Sequence, residues 1–464
     1  MIAIEALAHH PDPAPLFAAL RDLPHPVWLD SGRPGSSRGR YDLISAAPTQ
    51  VLSAEPGAVQ ARLREAGGLL DALSSAVRSG ADAHDLPFVG GLIGWLGYPA
   101  GTELLGLPAR PAEPLPWPLL LLQIGCYVWA AIVDHRAERT LLAFHPSCPS
   151  ALRREVRARC RHAPAGIRPE ADFRLESSFR ATTPKPRFAS DIARILAYLR
   201  AGDCYQVNYA QHFSARCQGD PWQAYLRLRE LLPSPYSAYL EWPGHAVLSL
   251  SPEQFLGVQG DRVQTRPIKG TAPRGASAGE DAALAAALRS SAKDRAENLM
   301  IVDLLRNDLG KSCVPGSIAV PELFALESFA NVHHLVSTVT GRLRHDQTPL
   351  DLLANCFPGG SVTGAPKRRA MEIIAELEPV GRSLYCGSLF YLSANGRMDS
   401  NITIRTLLVA DGKIHCWGGG GIVADSSAES EYRESRLKIE LLMQGLGGPA
   451  VDPGRPPSRD WSNR

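Results

Sequence analysis

The chain has 464 residues, 45% hydrophobic and 21% charged, and its 49 basic and 47 acidic side chains leave a net charge of +2. That length exceeds one small core, and the composition supplies enough apolar surface for a large globular one. The near-neutral balance excludes the strong positive field of a nucleic-acid binder or a membrane-surface protein, so neither partner is expected.

Along the chain, the first fifteen residues show no basic region followed by an apolar core, so no signal peptide is expected. The nine cysteines are scattered, odd in number and never spaced CxxC, which argues against a disulfide framework or zinc cluster and for reduced thiols in a cytoplasmic protein. Residues 1–160 form an N-terminal region of short apolar runs and dense turns, such as Gly90–Tyr98. Its apolar stretch Leu115–Ile132 contains Pro116, Pro118 and Gln123, which predicts buried strands and no membrane span. Residues 161–186, rich in proline and arginine, read as linker-like, residues 187–446 as a more strongly patterned region, and residues 447–464 as a disordered tail.

Within 187–446 the pattern predicts a short helix Asp191–Arg200 closed by Gly202 and a strand Gln206–Phe213. A hairpin of Val247–Gly257 with Arg262–Ile268 follows, turning at Gly260-Asp261. Leu284, Leu288, Leu299, Val302, Leu305 and Leu309 recur at helical spacing and predict one helix over Glu280–Leu309. Leu384–Ser393, Met398–Val409 and Lys413–Trp417 read as a meander through the turns Asn395-Gly396 and Asp411-Gly412. Ser426–Glu429 fits a capping box opening a final helix. The elements lack a βαβ rhythm, so the fold class is α+β.

Several familiar motifs fail. Leu309–Ser312 resembles the end of a phosphate-binding loop, but Leu305 stands where its first glycine belongs. Gly418–Gly421 lacks the dinucleotide fingerprint, and His333-His334 lacks a third metal ligand at helical spacing.

Four features could carry chemistry, each beside a plainer alternative. Glu431 and Glu434 share a helix face, and Asp294 and Glu297 lie one turn apart on another helix. Oxygen ligands from two helices suit Mg²⁺, although on spacing alone solvated faces and a Glu434–Lys438 pair account for them more simply. Cys356–Lys367 runs glycine-rich into a helix whose first residue is read as Pro366; its free N–H groups could hold a carboxylate, or it is a simple loop. Asn401–Arg405 reads as a strand with Arg405 opposite Ile402 and Ile404, placed either to fork onto a carboxylate or to make a surface ion pair. Lys269, in Pro267–Thr271, is either an exposed charge or a desolvated amine able to act as a nucleophile.

Taken together, Gly202–Asn208, Ser251–Phe255, Pro267–Thr271, Asp294–Asp308, Val332–Val336, Phe357–Lys367, Asn401–Arg405 and Gly419–Asp425 with Glu431–Glu434 resemble the chorismate-utilising enzymes. That family includes the large subunits of anthranilate and aminodeoxychorismate synthases and the isochorismate and salicylate synthases. The resemblance is close from about Phe188 to Leu442, which makes 187–446 the expected chorismate-binding region. It implies a core of two stacked antiparallel sheets flanked by helices, with the active site between them.

The resemblance also implies roles. Mg²⁺ would bridge the ring carboxylate of chorismate to Glu297 and Glu434, with Asp294 and Glu431 nearby. Arg405 and Tyr385 would meet the enolpyruvyl carboxylate. Backbone donors at Gly420 and Gly421, with Thr363, Gly364 and Lys438, would complete the binding set. His334 would lie by the leaving hydroxyl and Glu253 would protonate it.

Two positions choose among members. Isochorismate and salicylate synthases carry a lysine base where this chain has Gln206, which cannot activate water. Anthranilate synthases usually have alanine where this chain has Lys269, whereas aminodeoxychorismate synthases typically have the lysine. The resemblance therefore implies amination at ring carbon 4, towards p-aminobenzoate and folate, through a Lys269 adduct at carbon 2, with anthranilate formation as the alternative. Ammonia would come from a separate glutamine amidotransferase subunit in a heterodimer. A serine similar to Ser31 lies near a tryptophan site in some relatives, which makes Ser31 a candidate there, with an unoccupied apolar core as the alternative.

Overall fold

The structure, a computed structural model, describes residues 1–36, 39–77, 85–108, 121–164, 166, 172–329 and 332–447. Two antiparallel sheets, of 13 and 10 strands among the described residues, carry the architecture. The larger runs from Ala3–Leu7 through Trp129–Asp134, Val27–Asp30, Tyr236–Trp242, His245–Ser251, Thr406–Ala410 and Lys413–Ile422 to the long strand Gln206–Gln218. The smaller runs from Ile268–Pro273 and Val332–Arg342 through Arg262–Arg266, Gln254–Gln259, Met398–Asn401, Ser388–Ser393 and Gly91–Leu96 to Gln50–Ala54. Helices flank these sheets, in the α+β class expected.

Both ends of the chain build both sheets. Val27–Asp30 pairs with Tyr236–Trp242, and Gly91–Leu96 with Ser388–Ser393. One apolar cluster joins them, with Trp28, Trp129, Trp222 and Tyr239 fully buried. The described part of 161–186 includes Arg174–Leu175 and Arg180–Ala181, both paired with Gln206–Gln218. Residues 165, 167–171 and 448–464, and 115–120 of the expected apolar stretch, lie outside the described residues. All nine cysteines are buried and unpaired. No helix among the described residues is long and apolar enough to cross a membrane.

Period correctly locates most elements, but it misses three breaks. The expected strand Val247–Gly257 is two strands, His245–Ser251 in the larger sheet and Gln254–Gln259 in the smaller, parted at Pro252-Glu253. Proline lacks the N–H that would continue a ladder, so the chain changes sheet there. The expected strand Met398–Val409 splits likewise into Met398–Asn401 and Thr406–Ala410. Asn401–Arg405 is therefore no continuous strand, and Arg405 sits in the crossing loop with φ +49°. The two crossings are tied by the Ile402 N–H donating to the Glu253 carbonyl at 3.1 Å and Ser251 Oγ to the Ile402 carbonyl at 2.6 Å.

Glu280–Leu309 is two helices, Ala278–Ser290 and Ala292–Gly310. Ser291 adopts an extended backbone between them, and its Oγ accepts from the Asp294 N–H at 3.2 Å, capping the second helix. The final helix, Ala428–Gly445, is capped by Ser427, whose side chain accepts from the Ser430 N–H, one residue later than the capping-box reading. Ser426 is free to bond Glu431 instead. Pro366 precedes the first helical residue, Lys367.

Candidate active site

The two crossing loops, the start of the strand Ile268–Pro273, the turn Gly359–Thr363 and the helices carrying Glu297 and Glu434 supply the expected site residues. Glu253 is buried, and its Oε1 accepts from Ser361 Oγ at 2.7 Å. Burial pushes its carboxyl above the usual range, opposed by the Ser361 hydroxyl and the Lys269 ammonium. Lys269 does not project into bulk solvent. It is half-buried, and its Nζ donates to the Ser361 carbonyl at 3.2 Å. Burial lowers its amine below the usual lysine range, while the charges of Glu253, Glu297 and Glu434 draw it back up.

Gly270, at φ +82°, breaks the register of this strand against Val332–Arg342, so the Lys269 side chain leaves the regular alternation of the ladder. A Cβ on Gly270 would lie 3.1 Å from the Asp294 Cβ. The lysine-bearing bulge thus packs directly on the helix that carries Asp294 and Glu297.

On the opposite side, Gly418–Gly421 belongs to the strand Lys413–Ile422 and brings its bare backbone against the last helix. A Cβ on Gly420 would sit 3.1 Å from Glu431 Oε2 and 3.4 Å from Glu434 Oε1, so both carboxylates lie against it, as their shared helix face predicts. A Cβ on Gly421 would fall 1.9 Å from Gln206 Nε2, so Gln206 needs glycine there. Gln206 is buried and its Oε1 has no hydrogen-bond partner among the described residues. Lys438 donates to the Gly419 carbonyl at 2.9 Å and pairs with Glu434 Oε1 at 2.8 Å.

The acidic side suits a hard cation by its donor set rather than by a finished cage. No group of three or more His, Cys, Asp and Glu converges among the described residues. Burial raises the Glu297 carboxyl, and Asp294 and Glu434 raise it further by like charge. Glu431 is raised by burial and by Glu434, although Ser426 Oγ donates to it at 2.7 Å. Lys438 holds Glu434 below its ordinary range. Mutually repelling carboxylates from two helices are what Mg²⁺ relieves, and this ion commonly takes one or two protein carboxylates plus water and substrate oxygens.

Arg405 has no ion-pair partner among the described residues, and burial lowers its guanidinium from the ordinary value. Tyr385 is buried with its ring stacked on Trp417 at 6.1 Å. His334 is buried beside Thr271 Oγ1 at 2.9 Å, and burial with the charge of Arg405 pushes it down to about 3, so the ring is neutral. Thr363 is fully buried and its hydroxyl donates to the Gly359 carbonyl at 3.1 Å, which commits it to shaping the loop. A Cβ on Gly364 would fall 2.2 Å from the Gln206 carbonyl, so this glycine lets the loop pair with the strand.

Ser31 stands apart from these groups. Its N–H and Oγ both go to Asp42, at 3.0 and 2.9 Å. The neighbouring Leu29 and Asp30 line a cavity of about 260 Å³ between the sheets, whose walls include Pro252, Ile268 and Phe390. The cavity thus touches the residues that precede Glu253 and Lys269. Sequence reading missed Ser361, a small polar residue inside a glycine-rich run, and Trp417, which reads as ordinary core.

A model of the family described as chorismate binding enzyme matches residues 24–444. Aminodeoxychorismate synthase component 1 of Escherichia coli (strain K12) is 42% identical over 440 residues, covering 93% of this chain and 95% of that protein. Its counterpart from Klebsiella aerogenes is 43% identical over 454 residues, covering 96% and 99%. The crystal structure of anthranilate synthase component I from Streptococcus pneumoniae TIGR4 is similar with a TM-score of 0.73 at 29% identity, over 87% of this chain and 92% of that one.

Proposed function

The chain belongs to the chorismate binding enzyme family, and we propose that it makes 4-amino-4-deoxychorismate from chorismate and ammonia through a transient bond to Lys269. The observation that carries this reading is the amine of Lys269, drawn in from solvent onto the same loop residue that holds the Glu253 carboxyl. Burial favours the uncharged state of both groups, which is the reactive pairing: a free amine to attack and a proton to give.

In the first step the lone pair of Lys269 Nζ bonds to ring carbon 2, the ring double bonds shift, and the bond from carbon 4 to its hydroxyl breaks as Glu253 donates a proton, releasing water. In the second, ammonia bonds to carbon 4, the double bonds shift back, and the carbon 2–Nζ bond breaks to free Lys269. A proton from the new ammonium centre returns to Glu253, which closes the cycle. Neutral His334 lies on the same bulged strand pair and can accept or donate a hydrogen bond without adding charge. Arg405 and Tyr385 are assigned to the enolpyruvyl carboxylate, and the Gly420–Gly421 backbone with Lys438 to the ring carboxylate.

Glu297 and Glu434 would hold Mg²⁺, with Asp294 and Glu431 outside them, and the bound ion would supply positive charge for the ring carboxylate. Gln206 offers no base for water, which suits a cycle whose nucleophiles are nitrogen. Ammonia is assigned to a glutamine amidotransferase partner in a heterodimer, and the product to p-aminobenzoate and folate synthesis in the cytoplasm. The cavity beside Ser31 is the candidate tryptophan site, with an unoccupied apolar core as the alternative.

The test is to supply chorismate, Mg²⁺ and ammonium, with a separate lyase to release the aminobenzoate. Wild type should give the para isomer and Lys269→Ala none. An ortho product, or undiminished para product from Lys269→Ala, would overturn the reading.

A further inference from the structure

Ser361 touches both reactive groups with different atoms. Its Oγ donates to Glu253 Oε1 at 2.7 Å, and its carbonyl oxygen accepts from Lys269 Nζ at 3.2 Å. The residue is 8% exposed and sits in the single turn Gly360–Val362.

That turn is braced on several sides. A Cβ on Gly360 would lie 2.7 Å from Leu304 Cδ2, and one on Gly359 would lie 2.5 Å from Ile402 Cδ1. Arg382, fully buried and paired with Glu378 at 2.6 Å, donates to the Val362 carbonyl at 2.8 Å. The turn therefore has little freedom to shift when either reactive group changes protonation.

We propose that Ser361 is a positioning residue that fixes the Glu253 carboxyl and the Lys269 amine relative to one another, the acid through its hydroxyl and the amine through its backbone carbonyl. The inference rests on the reading above, in which these two groups are acid and nucleophile. A hydroxyl can donate to a carboxylate or, turned round, accept from a carboxylic acid, so one side chain serves Glu253 through the whole cycle. The carbonyl accepts from the lysine nitrogen whether or not it is charged. Lys269, the more distant Lys438, the Ile268 N–H and the Cys386 thiol are the other groups that face Glu253.

The two contacts separate by mutation, because Ser361→Ala removes the hydroxyl and keeps the carbonyl. Because the reactive state has a protonated Glu253 and a neutral Lys269, protonation of Lys269 sets the acid limb of a bell-shaped kcat/KM profile and ionisation of Glu253 the alkaline limb. Losing a donor to the carboxylate raises the alkaline limb of Ser361→Ala by about one pH unit. The acid limb should stay in place, kcat should fall about tenfold through lost alignment, and Ser361→Thr should restore the alkaline limb. Unmoved limbs in folded Ser361→Ala would overturn the inference, as would equal shifts of both. Should Ser361→Ala fail to fold, Ser361→Cys carries the same test, its weak thiol donor giving a smaller shift in the same direction. A wild-type profile without two limbs would instead count against the underlying roles of Glu253 and Lys269.

Discussion

Two buried polar regions differ in how completely their groups are partnered. Near the N-terminus, Asp42 accepts from Trp28 Nε1, from the N–H and Oγ of Ser31, and from His135. Asp30 accepts from the Gly32 N–H, Tyr225 and Arg229, each at 2.7 Å. Among the described residues, Glu253 at one crossing loop accepts from one side chain, Arg405 at the other has no ion pair, and Gln206 Oε1 at the start of the strand Gln206–Gln218 has no partner. Both regions perturb carboxylates: burial raises Asp30 to about 6 and raises Glu253 as well. Perturbation alone therefore fails to separate structure from chemistry, and the incomplete set of partners around Glu253, Arg405 and Gln206 is the better sign of a binding site.

Substitutions should separate the two regions by which quantity they change. Lys269→Ala should lower kcat for the 4-amino product at least about a thousandfold while leaving the melting temperature near that of wild type, as checked by product analysis and calorimetry. Glu253→Gln keeps the shape but cannot give a proton, so kcat should fall about 10² to 10⁴-fold, again without a loss of stability. Asp30→Ala should do the reverse, because it strands the buried Arg229 guanidinium. Denaturant melts should show a loss on the order of 3–5 kcal/mol, with the folded fraction still active.

A smaller effect concerns protons on buried histidines. His334 and His415 are each lowered from 6.5 to about 3, chiefly by burial. Below pH 6.5 the unfolded chain binds protons that the folded one refuses, so stability falls as pH drops through this window. Each ring should contribute up to about 1.4 kcal/mol per pH unit there. Melting curves from pH 7 to 5 should slope accordingly, and His415→Gln should flatten them by one histidine's share.

Much of this was legible in the sequence. The run Phe357–Lys367, the spacing of Glu431 and Glu434 and the lysine at 269 each left a plainer alternative open by themselves, and the resemblance to the chorismate-utilising enzymes is what singled them out. Period reading failed at Pro252-Glu253 and Asn401–Arg405, because two strands of different sheets meet there end to end and alternation continues across the break. Those breaks carry Glu253 and Arg405. Ser361 was equally silent, since the partners of its hydroxyl and its carbonyl lie 108 and 92 residues away in the chain.

The account stands or falls on the bond between Lys269 and the ring. Wild-type protein mixed with chorismate and Mg²⁺ but no ammonia, quenched in acid and digested, should yield a peptide carrying Lys269 heavier by chorismate less one water. An unmodified Lys269 peptide, from protein that still forms the 4-amino product at full rate once ammonium is added, would contradict it.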